Sequence, residues 1–279
     1  MTDQESRFDR IAEGYARWWS PVHRAATLRL LDEVAGEPGD ARPEGGSTGP
    51  RRLLDVGCGT GAMAVAAAAR WPAAEIDASD GSAGMLAVAA RTVDAAGETG
   101  RRVRLVRAPA DRLPFPDGTF DVALAAFVLH LVPSRPRAMR EMRRVLRPGG
   151  RLAFVGWLAG DLPMAADEAW DAALDAAGLG GRESHGGHDD LPNVAAAVGQ
   201  LRAAGLSKVT AHEDRLVHQF TPDAYAAFVT QFDEGDLVAS LAPAVREALE
   251  ADLLARLRAL PEDGLRLELP IVYASGVRA

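Results

Sequence analysis

Asp55 lies near the end of an apolar run, Leu53-Leu54-Asp55-Val56, which is followed at once by Gly57-Cys58-Gly59-Thr60-Gly61. A carboxylate at the end of a strand that should be buried is costly unless it meets a donor or a cation. Gly57, Gly59 and Gly61 lack Cβ atoms, so a ligand can lie directly against the backbone and positive φ angles cost little. The alanine-rich stretch from Ala62 predicts a helix whose free N–H groups aim at the same spot. A small ligand carrying an ammonium group and a nucleoside suits that arrangement better than a diphosphate does. Gly57-x-Gly59-x-x-Ala62 also satisfies the dinucleotide pattern, so a nicotinamide enzyme is the competing reading of the loop taken alone. Glu75 to Asp80 predicts a second strand with Asp80 at its carboxyl end, where a carboxylate can accept both ribose hydroxyls of either ligand.

The downstream residues separate the two readings. Gly81-Ser82-Ala83-Gly84-Met85-Leu86 opens a helix, and Leu113-Pro114-Phe115-Pro116-Asp117-Gly118-Thr119-Phe120-Asp121-Val122 follows. Then come Phe127-Val128-Leu129-His130-Leu131 and Arg144-Val145-Leu146-Arg147-Pro148-Gly149-Gly150. From about Leu53 to Val155 this ordered set resembles the class I S-adenosylmethionine (SAM) methyltransferases. It is most similar to the subgroup that includes the ubiquinone/menaquinone C-methyltransferases and many small-molecule methyltransferases of secondary metabolism.

The resemblance implies a Rossmann-like α/β fold, a doubly wound, seven-stranded and mostly parallel sheet with a helical lid. It implies that Gly57 and Gly59 cradle the methionine end of SAM, with Asp55 near its ammonium. Asp80 would take the ribose hydroxyls and Met85 would pack on the adenine, unless Met85 only fills the core. Cys58, Gly61, Gly81 and Ala126 complete the expected donor set, although a small apolar residue packed in the loop also explains Cys58. The family often carries an Asp in its third motif to read the adenine amino group. Pro109 stands there in Ala108-Pro109-Ala110-Asp111, offering neither an acid nor an N–H. Either Asp111 substitutes from two residues on, or the Ala110 backbone serves.

On the acceptor side, a phenol or sugar hydroxyl would profit from a general base, and histidine suits neutral pH. His130 follows the fourth predicted strand and matches a histidine common in the subgroup; a purely structural histidine is the other reading. Tyr15, Trp18 and Trp19 lie on an aromatic stripe that either covers the donor and acceptor or only glues the first helix to the core. Phe127 joins the expected acceptor pocket. His185 and His188 sit in Ser184-His185-Gly186-Gly187-His188-Asp189-Asp190, where substrate contact, metal ligation and simple solubility compete; no metal is assigned. Asp161, just past the fifth strand, either handles a proton or faces solvent.

These groups need elements to hold them. A helical stretch over 5–35 with a break at Ser20-Pro21 and a Gly/Pro-rich connector make an N-terminal lid and linker, 1–50. Alternating strands and helices over 51–157 form the donor-binding core. Residues 158–190 form a cap insertion around a short helix, Ala165–Ala177. Residues 191–279 complete the sheet, with a helix capped by Gly205, a strand from Lys208 to Val217, a helical cap insertion at 219–263 and a closing strand.

Composition sets the outer limits. At 279 residues, 48% of them hydrophobic, the chain suits one α/β domain with a small cap. A formal charge of −8 argues against phosphate-driven nucleic-acid binding. The arginines at 135, 137, 140, 143, 144 and 147 alternate with apolar residues at helical spacing and read as a solvated helix face. A single cysteine allows no intrachain disulfide. With no signal-like N-terminus and no apolar run able to span a bilayer, a cytoplasmic protein is expected, monomer or homodimer. The expected activity is transfer of a methyl group from SAM, leaving S-adenosylhomocysteine (SAH), to a small hydrophobic or aromatic metabolite. O-methylation is preferred slightly over C- or N-methylation; a SAM-binding protein without catalysis is the alternative.

Overall fold

A computed structural model describes residues 3–35, 49–160, 164–180 and 190–279. His185, His188 and Asp161 fall outside them. The strands are β1 (Arg52–Val56), β2 (Glu75–Asp80), β3 (Val103–Arg107), β4 (Phe120–Ala126), β5 (Leu146–Trp157), β6 (Leu206–Gln219) and β7 (Arg266–Arg278). They form one seven-stranded sheet in the order β3-β2-β1-β4-β5-β7-β6. β1 to β5 run parallel, and β7 lies antiparallel between β5 and β6. β2 and β4 flank β1, so the chain reverses its direction of travel across the sheet at the end of β1, where open α/β sheets bind ligands.

The period-two alternation of β-strands sorts the core into two layers. Leu53, Ile76, Leu124 and Val155 face one side, where they meet α2 (Ser20–Ala35) and α3 (Ala62–Arg70). Leu54, Val56, Ala123, Ala125 and Phe154 face the other, against α5 (Arg135–Val145) and α7 (Val194–Ala203). Both faces being covered explains why these strands read as nearly continuous apolar runs.

The N-terminal segment departs from the expected break at Ser20-Pro21. α1 (Asp3–Gly14) passes through a π-helical turn, Tyr15–Trp19, straight into α2. The Ser20 N–H donates five residues back to the Tyr15 carbonyl. Pro21 has no N–H and crowds the preceding turn, and widening that turn lets the helix continue. A second π turn, Val229–Asp233, follows α8 (Pro222–Phe228). Beyond it, α9 (Gly235–Ser240) and α10 (Pro243–Ala259) lead to β7. The Tyr225 hydroxyl of α8 donates to Asp167 Oδ1 (2.6 Å) on α6 (Ala165–Ala176), tying the two helices together.

The basic face of α5 is not simply solvated. Arg144 reaches Glu141, Asp117 and the carbonyls of Leu113 and Phe115, and Arg135 is buried on the Leu129 carbonyl (3.1 Å). These arginines pin the loops on either side of β4, a use that helical spacing cannot reveal.

Candidate active site

The glycine loop turns back on itself through two bonds to one acceptor: Gly57 and Cys58 N–H both donate to the Ser79 carbonyl (2.7 and 2.9 Å). Gly57, Gly59 and Gly61 have φ of +67°, +51° and +79°. Their surroundings differ. A Cβ on Gly59 would meet nothing within 4 Å, and Gly59 lines a cavity of about 340 Å³. A Cβ on Gly57 would sit 2.4 Å from a methyl of Val128. Gly61 does not line this cavity. Its Cα faces Ala89, where a Cβ would lie 3.1 Å from the Ala89 Cβ, so this glycine lets α3 approach α4 (Ala83–Ala95). Cys58 is buried, and burial together with Asp55 and Asp80 pushes its thiol well above the ordinary range. A reactive thiol does not fit that environment.

Asp55 and Asp80 end neighbouring parallel strands and bear on one another. Asp80 accepts from the Gly59 N–H (2.9 Å) and the Ser82 N–H (2.8 Å). Burial raises its pKa, while those two donors favour its ionised form. Asp55 is 1% exposed, and its Oδ2 has no hydrogen-bond partner among the described residues. Burial, then Asp80, push it up to about 8. The two environments differ: Asp55 holds a proton near neutrality, whereas Asp80 has two N–H donors that favour its ionised form against the cost of burial. An orphaned buried carboxyl oxygen beside a glycine cradle fits a ligand that brings a cation, as the amino-acid end of SAM does.

A pH dependence follows. A carboxyl raised when folded binds more protons in the folded state, so its contribution to stability is present at low pH and is lost as pH rises toward 8. The free protein is expected to melt at a lower temperature at pH 8 than at pH 6. Binding a cation at Asp55 displaces the proton, so SAH affinity should rise over the same interval. Calorimetry at pH 7 in buffers of different ionisation enthalpy should register proton release. Asp55→Asn should remove that release; release unchanged in that variant would mean another group loses the proton.

Asp55 itself lines a smaller recess of about 50 Å³ that shares Tyr15, Gly57, Gly59 and Ala126 with the 340 Å³ cavity. Besides Asp80 and the glycine loop, the larger cavity is walled by α1 through Gln4, Glu5 and Phe8, by Gly81 and Met85 at the start of α4, and by Ala126. Ala108, Pro109, Ala110 and Asp111 form its far side, so both expected substitutes for the missing adenine-reading acid line it. Asp111 Oδ2 lies 3.6 Å from Arg137, which also lines the cavity. Met85 is buried among Ala12, Val88 and Phe8 while presenting an edge to the cavity.

A second cavity of about 360 Å³ adjoins the first and shares Phe8, Tyr15, Phe127 and Leu131 with it. Trp19, Trp157, Phe228 and Phe232 wall it, and His130 lines it. Trp19 stacks on Phe228 (centroids 5.6 Å apart), and Phe127 lies against Trp157 (4.2 Å). Phe127 adopts φ +54°, an uncommon conformation for a bulky residue, and this holds its ring at the boundary between the cavities. Tyr15 also stands at that boundary, its hydroxyl 2.7 Å from His23 Nε2. His23 is buried, and desolvation lowers it to about 4, so it is neutral and can accept the Tyr15 proton bond.

Trp18 does not belong with these rings. It lines none of these cavities, and the Arg17 guanidinium covers it at 4.6 Å. Tyr15 and Trp19 are four apart and share a helix face that Trp18 misses. His23, Trp157, Phe228 and Phe232 were not anticipated. The i, i+4 pair Phe228 and Phe232 was a readable sign of an aromatic helix face, whereas nothing local marked Trp157 or His23.

Comparison with known proteins agrees with this geometry. A family model described as "Methyltransferase domain" matches residues 54–154. The chain is 30% identical over 235 residues to the 27-O-demethylrifamycin SV methyltransferase of Amycolatopsis mediterranei, covering 81% of this chain and 75% of that protein. It is 43% identical over 106 residues to the demethylmenaquinone methyltransferase of Thermus thermophilus, but there the match spans only 38% of this chain and 47% of the relative. Among solved structures, the YcgJ protein of Bacillus subtilis superposes with a TM-score of 0.57 at 20% identity, covering 91% of this chain and 98% of that one; at that identity it speaks for the fold. With the sheet order, the donor loop and the relatives in agreement, the chain belongs to the class I SAM-dependent methyltransferases.

Proposed function

We propose that this protein methylates a hydroxyl group on a small, hydrophobic, aromatic metabolite. The observation that carries this reading is the aromatic cavity lined by His130, next to the glycine-loop cavity and sharing Phe8, Tyr15, Phe127 and Leu131 with it. Its volume, about 360 Å³, lies within the range of small-molecule sites. Planar rings such as Trp19, Trp157 and Phe228 favour a flat, apolar acceptor. The rifamycin relative is named for an O-methylation and supports that chemistry. The menaquinone relative is similar over less than half its length, but a ubiquinone/menaquinone C-methyltransferase of Methylobacterium nodulans is 35% identical over 86% of its own length, so C-methylation is the competing chemistry.

When bound, SAM supplies a methyl group already activated by its sulfonium. The protein's own contribution is then mostly placement, an effect worth up to about 7–11 kcal/mol in well-oriented reactions. Asp55, Asp80 and the Gly57–Gly59 backbone would hold the donor, and Tyr15 and Phe127 would set the boundary across which the acceptor approaches. His130 would take the proton from the acceptor hydroxyl as the new bond forms. The cytoplasm and a monomeric or dimeric state fit this reading; no described helix is long and apolar enough to cross a membrane.

The test is transfer of label from SAM to a panel of phenols, hydroxylated polyketides and quinols, with the position of the methyl group read by mass spectrometry and NMR. Methylated oxygen is the expected product; a methylated ring carbon would replace the hydroxyl reading with C-methylation. His130→Ala should lower turnover on the hydroxyl acceptor about a hundredfold while leaving SAH affinity unchanged. Equal turnover in that variant would remove His130 from the chemistry.

A further inference from the structure

The tetrapeptide Gly81-Ser82-Ala83-Gly84 follows Asp80 directly and begins α4. Ser82 caps that helix by accepting the Met85 N–H (3.0 Å). Its own hydroxyl donates to Asp9 Oδ1 on α1 at 2.6 Å, and the same oxygen accepts the Gly84 N–H at 2.9 Å. The Ser82 N–H meanwhile donates to Asp80 Oδ1 (2.8 Å). One residue thus joins a carboxylate of the N-terminal helix to the carboxylate that lines the donor cavity.

The two glycines make this junction possible. A Cβ on Gly84 would lie 2.6 Å from the Asp9 carbonyl oxygen and 2.8 Å from its Cα. A Cβ on Gly81 would lie 2.8 Å from Glu5 Oε1. α1 therefore rests on the bare backbone at the start of α4, and the positive end of that helix favours the Asp9 charge. The bonds from Gly84 and Ser82 hold the Asp9 carboxyl below its ordinary range.

We propose that Asp9 is a positioning residue. It fixes α1 on the first turn of α4, keeps Gln4, Glu5 and Phe8 closed along one wall of the donor cavity, and holds the Ser82 N–H on Asp80. The proposal rests on reading that cavity as the donor site. Asp9 touches no ligand in this role; it sets how long the donor stays bound.

Asp9→Ala removes the acceptor, whereas Asp9→Asn keeps an oxygen able to receive both bonds. Stopped-flow displacement of SAH should show dissociation about tenfold faster from Asp9→Ala, with most of the change recovered in Asp9→Asn. Gly84→Ala, which pushes on the same contact from the other side, should also speed dissociation. Hydrogen exchange of the ligand-free proteins is the companion measurement: amides of α1 and of Gly84 and Met85 should exchange faster in Asp9→Ala and not in Asp9→Asn. Unchanged exchange in Asp9→Ala would overturn the contact as a determinant of α1 docking. Faster exchange with unchanged SAH release would overturn its hold on the donor. Failure of the wild-type protein to bind SAH would refute the donor-site reading instead, and with it the proposed effect on ligand residence.

Discussion

Asp80→Ala will weaken SAH binding about a hundredfold, the largest loss expected from any single side chain in the donor cavity. Two effects act together. The variant removes a carboxylate that lines the cavity and would accept ligand hydroxyls, and hydrogen bonds to a charged group are worth about 1.5–3 kcal/mol each. It also strips the Gly59 and Ser82 N–H groups of their acceptor, so the glycine loop and the first turn of α4 lose the group that holds them in register. Asp80→Asn separates these contributions. One amide oxygen can still serve one of the two N–H groups, but the amide nitrogen then opposes the other, and the charge is gone. An intermediate loss of about tenfold is expected. Titration calorimetry with SAH reads both variants, and thermal melts show whether each remains folded. SAH bound by folded Asp80→Ala within twofold of wild type would sink the assignment of this carboxylate to the donor.

The parts of the molecule that were legible beforehand are those encoded locally. The strand carrying Asp55, the glycine loop and the strand ending in Asp80 are contiguous runs whose hydrophobicity, spacing and glycine content describe their own geometry. The order of motifs then placed them in a doubly wound sheet. The aromatic cavity was much less legible because its walls come from far apart: Trp19 from the N-terminal helix, Trp157 from the end of β5, Phe228 and Phe232 from the cap. Only packing of those segments brings the rings together, and no periodicity in one segment reports on another. Pro21 was misread for a related reason. Its backbone chemistry argues for a break, and only the π turn before it shows that the helix absorbs the proline. Gly61 illustrates the converse: its place in the Gly57-x-Gly59-x-Gly61 run makes it look equivalent to its neighbours, whereas its Cα packs against Ala89.

Gly57 and Gly59 offer the sharpest separation of fold from binding, because one substitution should damage mainly stability and the other mainly affinity. Both have positive φ, so an alanine at either costs about 1 kcal/mol or more in backbone strain. At Gly59 that is the whole folding cost, since a Cβ there would meet nothing within 4 Å. The added methyl instead projects into space that a ligand pressed against the loop would use. Gly59→Ala should melt within a few degrees of wild type yet lose SAH affinity about a hundredfold. At Gly57 the Cβ would come within 2.4 and 2.6 Å of the two Val128 methyls, which adds an overpacking cost of about 1–3 kcal/mol. Gly57→Ala should therefore melt markedly lower than Gly59→Ala. Trimming the partner supplies the control: Val128→Ala should restore much of the stability of Gly57→Ala and none of the affinity of Gly59→Ala, a coupling that a double-mutant cycle measures directly. If Gly59→Ala instead proves as unstable as Gly57→Ala and still binds SAH at wild-type strength, the loop is a structural turn, and the donor must lie elsewhere.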